Sequence, residues 1–175
     1  MRRLMLLRHA KAERSRPGER DLDRILTERG RVDAPRIGQY LLRHGLVPDL
    51  AVVSPSVRTR ETYELVAGAF ERRPAVSYDE RLYEAAPPAI LAVIRETAPS
   101  VRTLLIVGHN PGLQELAALL IATGDVEARQ RLKENFPTSA LAVITFAVDA
   151  WSRVHPHGGR LEHFVTPQWL AEATD

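Results

Sequence analysis

The chain has 175 residues, 45% of them hydrophobic and 26% charged, which suits one globular domain spanning 1–175 and excludes disordered and fibrous classes. Cysteine is absent, which removes disulfide frameworks, cysteine-bound metals and thiol nucleophiles together. The formal net charge is only +2, and among 24 cationic residues only Lys11 and Lys133 are lysine. The rest are arginines, whose planar fork suits phosphate or carboxylate, but interspersed Asp and Glu leave no long basic stripe for nucleic acid.

Leu4 to Leu7 is apolar on consecutive residues, the pattern of a strand covered on both faces, and Arg8-His9 stands at its tip. Residues 10–26 are polar, with Pro17-Gly18 as turn chemistry, and read as a loop. Helical periodicity follows to His44; Pro35 predicts that the main helix starts near Asp33 to Pro35, and Gly45 that it stops. Leu50 to Val53 is the second buried run. Ser54-Pro55 after it reads as an N-cap and first-turn proline of a helix to about Phe70, with Arg58 near its start.

Val76 to Tyr78 fits an edge strand, and Pro87-Pro88 opens a helix that ends before Pro99. Leu104 to Val107 is the third buried run, followed by Gly108-His109-Asn110-Pro111-Gly112. Asn110 then caps a helix to about Ala122 that Gly124 ends, and Asp125 to Glu134 forms a shorter helix. Ala140 to Val148 and Leu161 to Val165 read as a late antiparallel pair. No apolar run approaches the roughly 20 residues of a membrane span, and no signal-peptide pattern follows Met1, so a cytoplasmic location is expected. Short apolar runs alternating with helical patterns predict an α/β fold with a mainly parallel sheet.

All three buried runs end in polar residues, and open α/β sheets bind ligands outside the carboxyl ends of their strands. Parallel neighbouring strands would bring Arg8, His9, Arg58 and His109 to one pocket beside helix N-termini, which favour anions. Such a set fits phosphoryl transfer through a covalent intermediate. His9 is the nucleophile, Arg8 and Arg58 clamp the equatorial oxygens, and His109 donates to them, with no metal or cofactor required. Asn110 is a further phosphate-binding candidate through its backbone N–H.

Leu7-Arg8-His9-Ala10, Ser54-Pro55 through Arg58 and Thr62, and Gly108-His109-Asn110-Pro111-Gly112 resemble, in that order, the histidine phosphatase superfamily. The likeness extends to Leu26-Thr27 through Gly30, Leu82-Tyr83 and Pro137 to Ala140, and is strongest to the SixA-type phosphohistidine phosphatases. It implies a three-layer α/β/α sandwich like that of phosphoglycerate mutases and a phosphohistidine intermediate on His9. Ala10 departs from the Gly that many members carry, and Thr59 from the usual Ala. Many members also supply a carboxylate that protonates the leaving group, and Glu84 is the candidate for that role here.

An imidazole leaving group, with a pKa near 6.5, needs less acid catalysis than an alkoxide, which favours phosphohistidine on a protein as substrate. A small phosphomonoester is the alternative within the enzyme class. A catalytically silent phosphoprotein-binding module is the alternative outside it, opposed by the retention of both histidines. His155, His157 and His163 form a rival cluster that three-imidazole metal ligation would use, in a region expected to be a hairpin loop. Ser54 and Thr62 read as capping and packing residues, and His44 as a helix end. Thr138-Ser139 are candidates for the pocket rim, and Ser15, Arg16 and Arg20 for substrate contact from the long loop. Oligomeric state is not legible.

Overall fold

The computed structural model describes residues 1–173. Its elements, in chain order, are β1 (Arg2–Arg8), α1 (Glu28–Arg43), β2 (Leu50–Val53), α2 (Val57–Ala67), β3 (Ala75–Tyr78), α3 (Pro87–Arg95), β4 (Thr103–Gly108), α4 (Gly112–Leu120), β5 (Ile121–Gly124), α5 (Val126–Glu134), β6 (Leu141–Phe146), β7 (Gly159–Val165) and α6 (Pro167–Ala173). The strands form one sheet in the order β3-β2-β4-β1-β6-β7-β5. Pairing is parallel from β3 through β1 and between β5 and β7, and antiparallel where β6 meets β1 and β7.

Consecutive apolar residues in the central strands face opposite sides of this sheet, and each side is covered. Leu4, Leu6, Leu104 and Ile106 point into a core closed by α3, α4 and Leu132 of α5. Met5, Leu7, Leu105 and Val107 point into a second core closed by α1 and α2, with Trp169 and Leu170 of α6 at its edge. The result is the three-layer α/β/α sandwich expected from the sequence. Among the described residues no helix is long and apolar enough to cross a membrane.

Register places the chemistry. Arg8 pairs with Gly108 and Val53 with Val107, so β1, β4 and β2 end at one level. His9 N–H donates to the Gly108 carbonyl and Ser54 N–H to that of Val107, which holds the residues just past each strand in the same ladder. The helices after β1 and β4 leave to opposite faces of the sheet, and a crevice opens between the two strand ends.

Several local expectations are corrected. The first helix begins at Glu28, capped by the Thr27 side chain on Gly30 N–H, and Pro35 lies inside it. The carbonyl that Pro35 leaves without a donor belongs to Arg31, which is exposed and open to hydration. Ser56, not Ser54, caps α2, and the helix ends at Ala67 rather than near Phe70. The fourth helix starts one residue later than Asn110 would set, with Pro111 at the cap position, although Asn110 Oδ1 still accepts from Gln114 N–H at 3.2 Å. It stops at Leu120 because Ile121–Gly124 pairs with β7 as an edge strand. The C-terminal α6 was not anticipated.

Glycine at 112 is required by contact, for a Cβ there would lie 2.1 Å from the Ala85 carbonyl oxygen. This close approach seats α4 against the Glu84-Ala85 turn. At Gly108, by contrast, an added Cβ would only touch Leu113 at 3.8 Å.

Candidate active site

The crevice is a cavity of about 470 Å³ whose lining includes Arg8, His9, Arg58, Glu84, His109 and Asn110, so the residues proposed for phosphoryl transfer converge on it. Its floor is buried: His9, Arg58 and His109 are 8%, 5% and 7% exposed. Glu84 is exposed at the mouth, in a left-handed conformation at φ 52°.

The two imidazoles face each other with ring centroids 5.4 Å apart. His9 Nδ1 lies 2.7 Å from its neighbour Ala10 O. An acceptor there keeps the proton on Nδ1 and leaves Nε2 with a free lone pair. Burial lowers the His9 pKa to about 4; the Arg58 and Arg8 charges push the same way against that hydrogen bond. His109 falls to about 3, again chiefly through burial, with His9 and Arg58 adding to it. Both rings are therefore neutral at pH 7, the state in which an imidazole is a nucleophile.

Ser54 proves to be a partner of His109, its Oγ 2.8 Å from Nε2, rather than the helix cap. That hydroxyl can donate to Nε2, leaving Nδ1 protonated toward the pocket, or accept from it; either way it fixes the plane of the ring. Arg58 Nη2 stands 3.4 Å from His109 Nδ1. Thr62 Oγ1 accepts from Ala10 N–H at 2.9 Å, which ties α2 to the residue after His9.

Arg8 donates from Nη1 to the Phe136 carbonyl, and Asn110 Nδ2 donates to the same oxygen, both at 3.0 Å. The Nε atoms of Arg8 and Arg58 are buried and have no acceptor among the described residues. An orphaned, charged, buried donor is costly, and two of them in one crevice mark a place where an anion is stabilised.

Sequence reasoning missed Asp21. Its backbone carbonyl accepts from Arg58 Nη1 at 2.8 Å, and its carboxylate accepts from Arg58 Nη2 at 3.0 Å, Arg24 Nη1 at 2.9 Å and the Tyr83 hydroxyl. Burial raises the pKa of that carboxyl, but these hydrogen bonds outweigh it and hold the group well below the usual carboxylate range. Asp21 thus joins the 10–26 loop, α2 and the turn before α3. Its partners in α2 and at Tyr83 lie 37 and 62 positions away, so no local pattern announces it.

Other candidates fall elsewhere. Thr138 lines a neighbouring cavity beside β7, and Ser139 N–H caps the carbonyls of Arg8 and His9 from a buried position. Ser15, Arg16 and Arg20 lie away from the crevice lining, with Arg20 paired to Asp23. His163 bonds to the Tyr40 hydroxyl at 2.6 Å, whereas His155 donates to the Arg153 carbonyl at 2.9 Å. No group of three or more His, Asp or Glu among the described residues is placed to hold a metal ion.

Comparison with known proteins agrees with this geometry. Residues 4–89 match the profile of the histidine phosphatase superfamily, branch 1. An uncharacterized protein of Mycobacterium tuberculosis is 36% identical over 164 residues, covering 93% of this chain and 100% of that one. A candidate phosphohistidine phosphatase SixA from Agrobacterium tumefaciens superposes with a TM-score of 0.81 at 32% identity, over 95% of this chain and 98% of its own. Another from Nakamurella multipartitia gives 0.83 at 29% identity, over 95% and 96%.

Proposed function

The chain belongs to the histidine phosphatase superfamily and is a phosphatase; from that premise we propose that it works through a covalent phosphohistidine on His9 and that its substrate is phosphohistidine on another protein. The observation that carries the reading is the pair of neutral imidazoles at matched strand ends beside buried Arg58 and half-buried Arg8, whose buried Nε–H groups lack acceptors among the described residues.

His9 Nε2 attacks phosphorus, and the bond from phosphorus to the leaving nitrogen breaks as that nitrogen takes the electron pair. Arg8, Arg58 and His109, with the backbone N–H of Asn110, hold the three equatorial oxygens, supplying positive charge where a metal would otherwise be needed. Water then attacks the phosphoenzyme, orthophosphate departs and Nε2 regains its lone pair. Ser54 keeps His109 aimed throughout.

Glu84 is the proposed proton donor to the leaving group. It stands exposed with no side-chain hydrogen bond among the described residues to fix it, which suits a leaving imidazole better than an alkoxide. The neighbours named as candidate SixA enzymes support the same substrate class. We place this activity in the cytoplasm.

The test is phosphate release from a phosphohistidine-bearing carrier protein with EDTA present, comparing wild type with His9→Ala. Release by wild type alone is expected. Release by His9→Ala at the wild-type rate overturns the mechanism, and release only from small phosphomonoesters overturns the substrate assignment.

A further inference from the structure

Charge in the crevice is layered by depth. The buried floor carries Arg58, whose Nε–H has no acceptor among the described residues, with half-buried Arg8 also in the lining. The exposed part of the lining carries two carboxylates, Glu84 and Glu115. Asp21 also lines the cavity, but its charge is matched by Arg58, Arg24 and the Tyr83 hydroxyl. Glu84 and Glu115 have neither an ion pair nor a side-chain hydrogen bond among the described residues, so their charge acts on whatever enters. Glu115 sits in the early turns of α4, and its N–H bonds to the carbonyl of Pro111, itself part of the lining.

A phosphoryl group bound at the floor must point the rest of its molecule past these carboxylates. We propose that Glu115 is a specificity-determining residue: with Glu84 it selects phosphoryl groups borne on a cationic carrier and rejects those whose carrier holds a second anion. The proposal rests on the phosphatase reading above and sharpens it. A phosphorylated imidazole that is protonated on its other nitrogen meets the requirement, and a phosphorylated carboxylic acid does not. Small anionic phosphometabolites are thereby excluded by charge, without a lid. Glu115 is the residue to alter, because a change at Glu84 would also touch proton transfer.

The probes are two benzylphosphonates, para-substituted with an aminomethyl or a carboxylate group, whose C–P bond resists hydrolysis. Binding is measured by calorimetry with wild type and Glu115→Gln. Wild type should prefer the cationic probe by about tenfold, Glu115→Gln should reduce that ratio by about threefold, and added salt should narrow it. Equal affinities in wild type, failure of both probes to bind, or a ratio unchanged in Glu115→Gln would overturn the proposal. Turnover of the matching aryl phosphates by wild type is scored separately. Should wild type also fail to release phosphate from the phosphohistidine-bearing carrier protein while the binding preference stays intact, the phosphatase mechanism is overturned and the charge selection stands.

Discussion

Two histidine pairs in this molecule look alike by distance and differ in everything that makes chemistry. His9 and His109 have ring centroids 5.4 Å apart, and His44 and His163 have theirs 5.7 Å apart. Each pair includes a hydroxyl partner, Ser54 for His109 and Tyr40 for His163. In each, burial lowers an imidazole pKa. Around His44 and His163, however, the neighbours are other rings: the Tyr40 ring stacks on His44 at 4.1 Å and meets His163 and Trp169 edge-on. Around His9 and His109, buried Arg58 and half-buried Arg8 keep Nε–H groups with no acceptor among the described residues. Neither imidazole spacing nor a shifted pKa marks a reactive site on its own. Unfinished hydrogen bonding beside a cavity does.

Substitution can break this contrast, and the sharpest break is at the nucleophile. His9→Ala should lower turnover at least about 10³-fold, whereas His163→Gln should leave kcat within about twofold, both read by steady-state phosphate release. Removing the charge comes next. Arg58→Ala should cost about 10² to 10³ in kcat/KM, leaving a neutral imidazole pair as inert as the one beside Tyr40. Asp21→Asn should cost roughly tenfold in kcat with the thermal midpoint little changed, since Arg58 loses the carboxylate that fixes its orientation. A loss confined to stability would show Asp21 to be merely structural.

Acid should separate the pairs as well. His9 must be neutral to attack, so the acid limb of kcat/KM, corrected for substrate ionisation, should fall near pH 4 rather than near 6.5. The same shift has a sign for stability. Between pH 6.5 and about 4 the unfolded chain takes up a proton at residue 9 that the folded chain refuses. The stability linked to His9 is therefore complete above pH 6.5 and is lost as pH falls through about 4, so His9→Ala should flatten the acid side of a denaturation series. The smallest effect belongs to the second pair, where Tyr40 bonds His163: Tyr40→Phe should cost about 1 kcal/mol, or about 2–4 °C in Tm, with catalysis unchanged.

What the sequence made legible follows the range of the forces involved. Three runs of buried apolar residues located β1, β2 and β4, and the polar residues after them located Arg8, His9, Arg58 and His109, because strand ends and phosphate chemistry both leave local marks. Ile121–Gly124 was misassigned because a short apolar run suits helix or strand equally, and only pairing with β7 decides it. Ser54 was read as a cap because Ser before Pro is a capping pattern; its bond to His109 spans 55 positions. Asp21 lay hidden in a polar loop for the same reason, since every contact that gives it meaning except Arg24 comes from a distant element.

The ladder that joins β1 to β4 gives the paired histidines a kinetic standing of their own. Each follows directly on a central strand, and the Gly108 carbonyl that precedes His109 accepts the amide of His9. Amides in such strands exchange with solvent only when the whole domain opens, whereas loops open alone and often. The nucleophile therefore shares the protection of the core, while Glu84 is carried on an exposed turn between elements. Damage by heat or denaturant should reach Glu84 and leaving-group handling first, and the nucleophile only when the sheet itself comes apart.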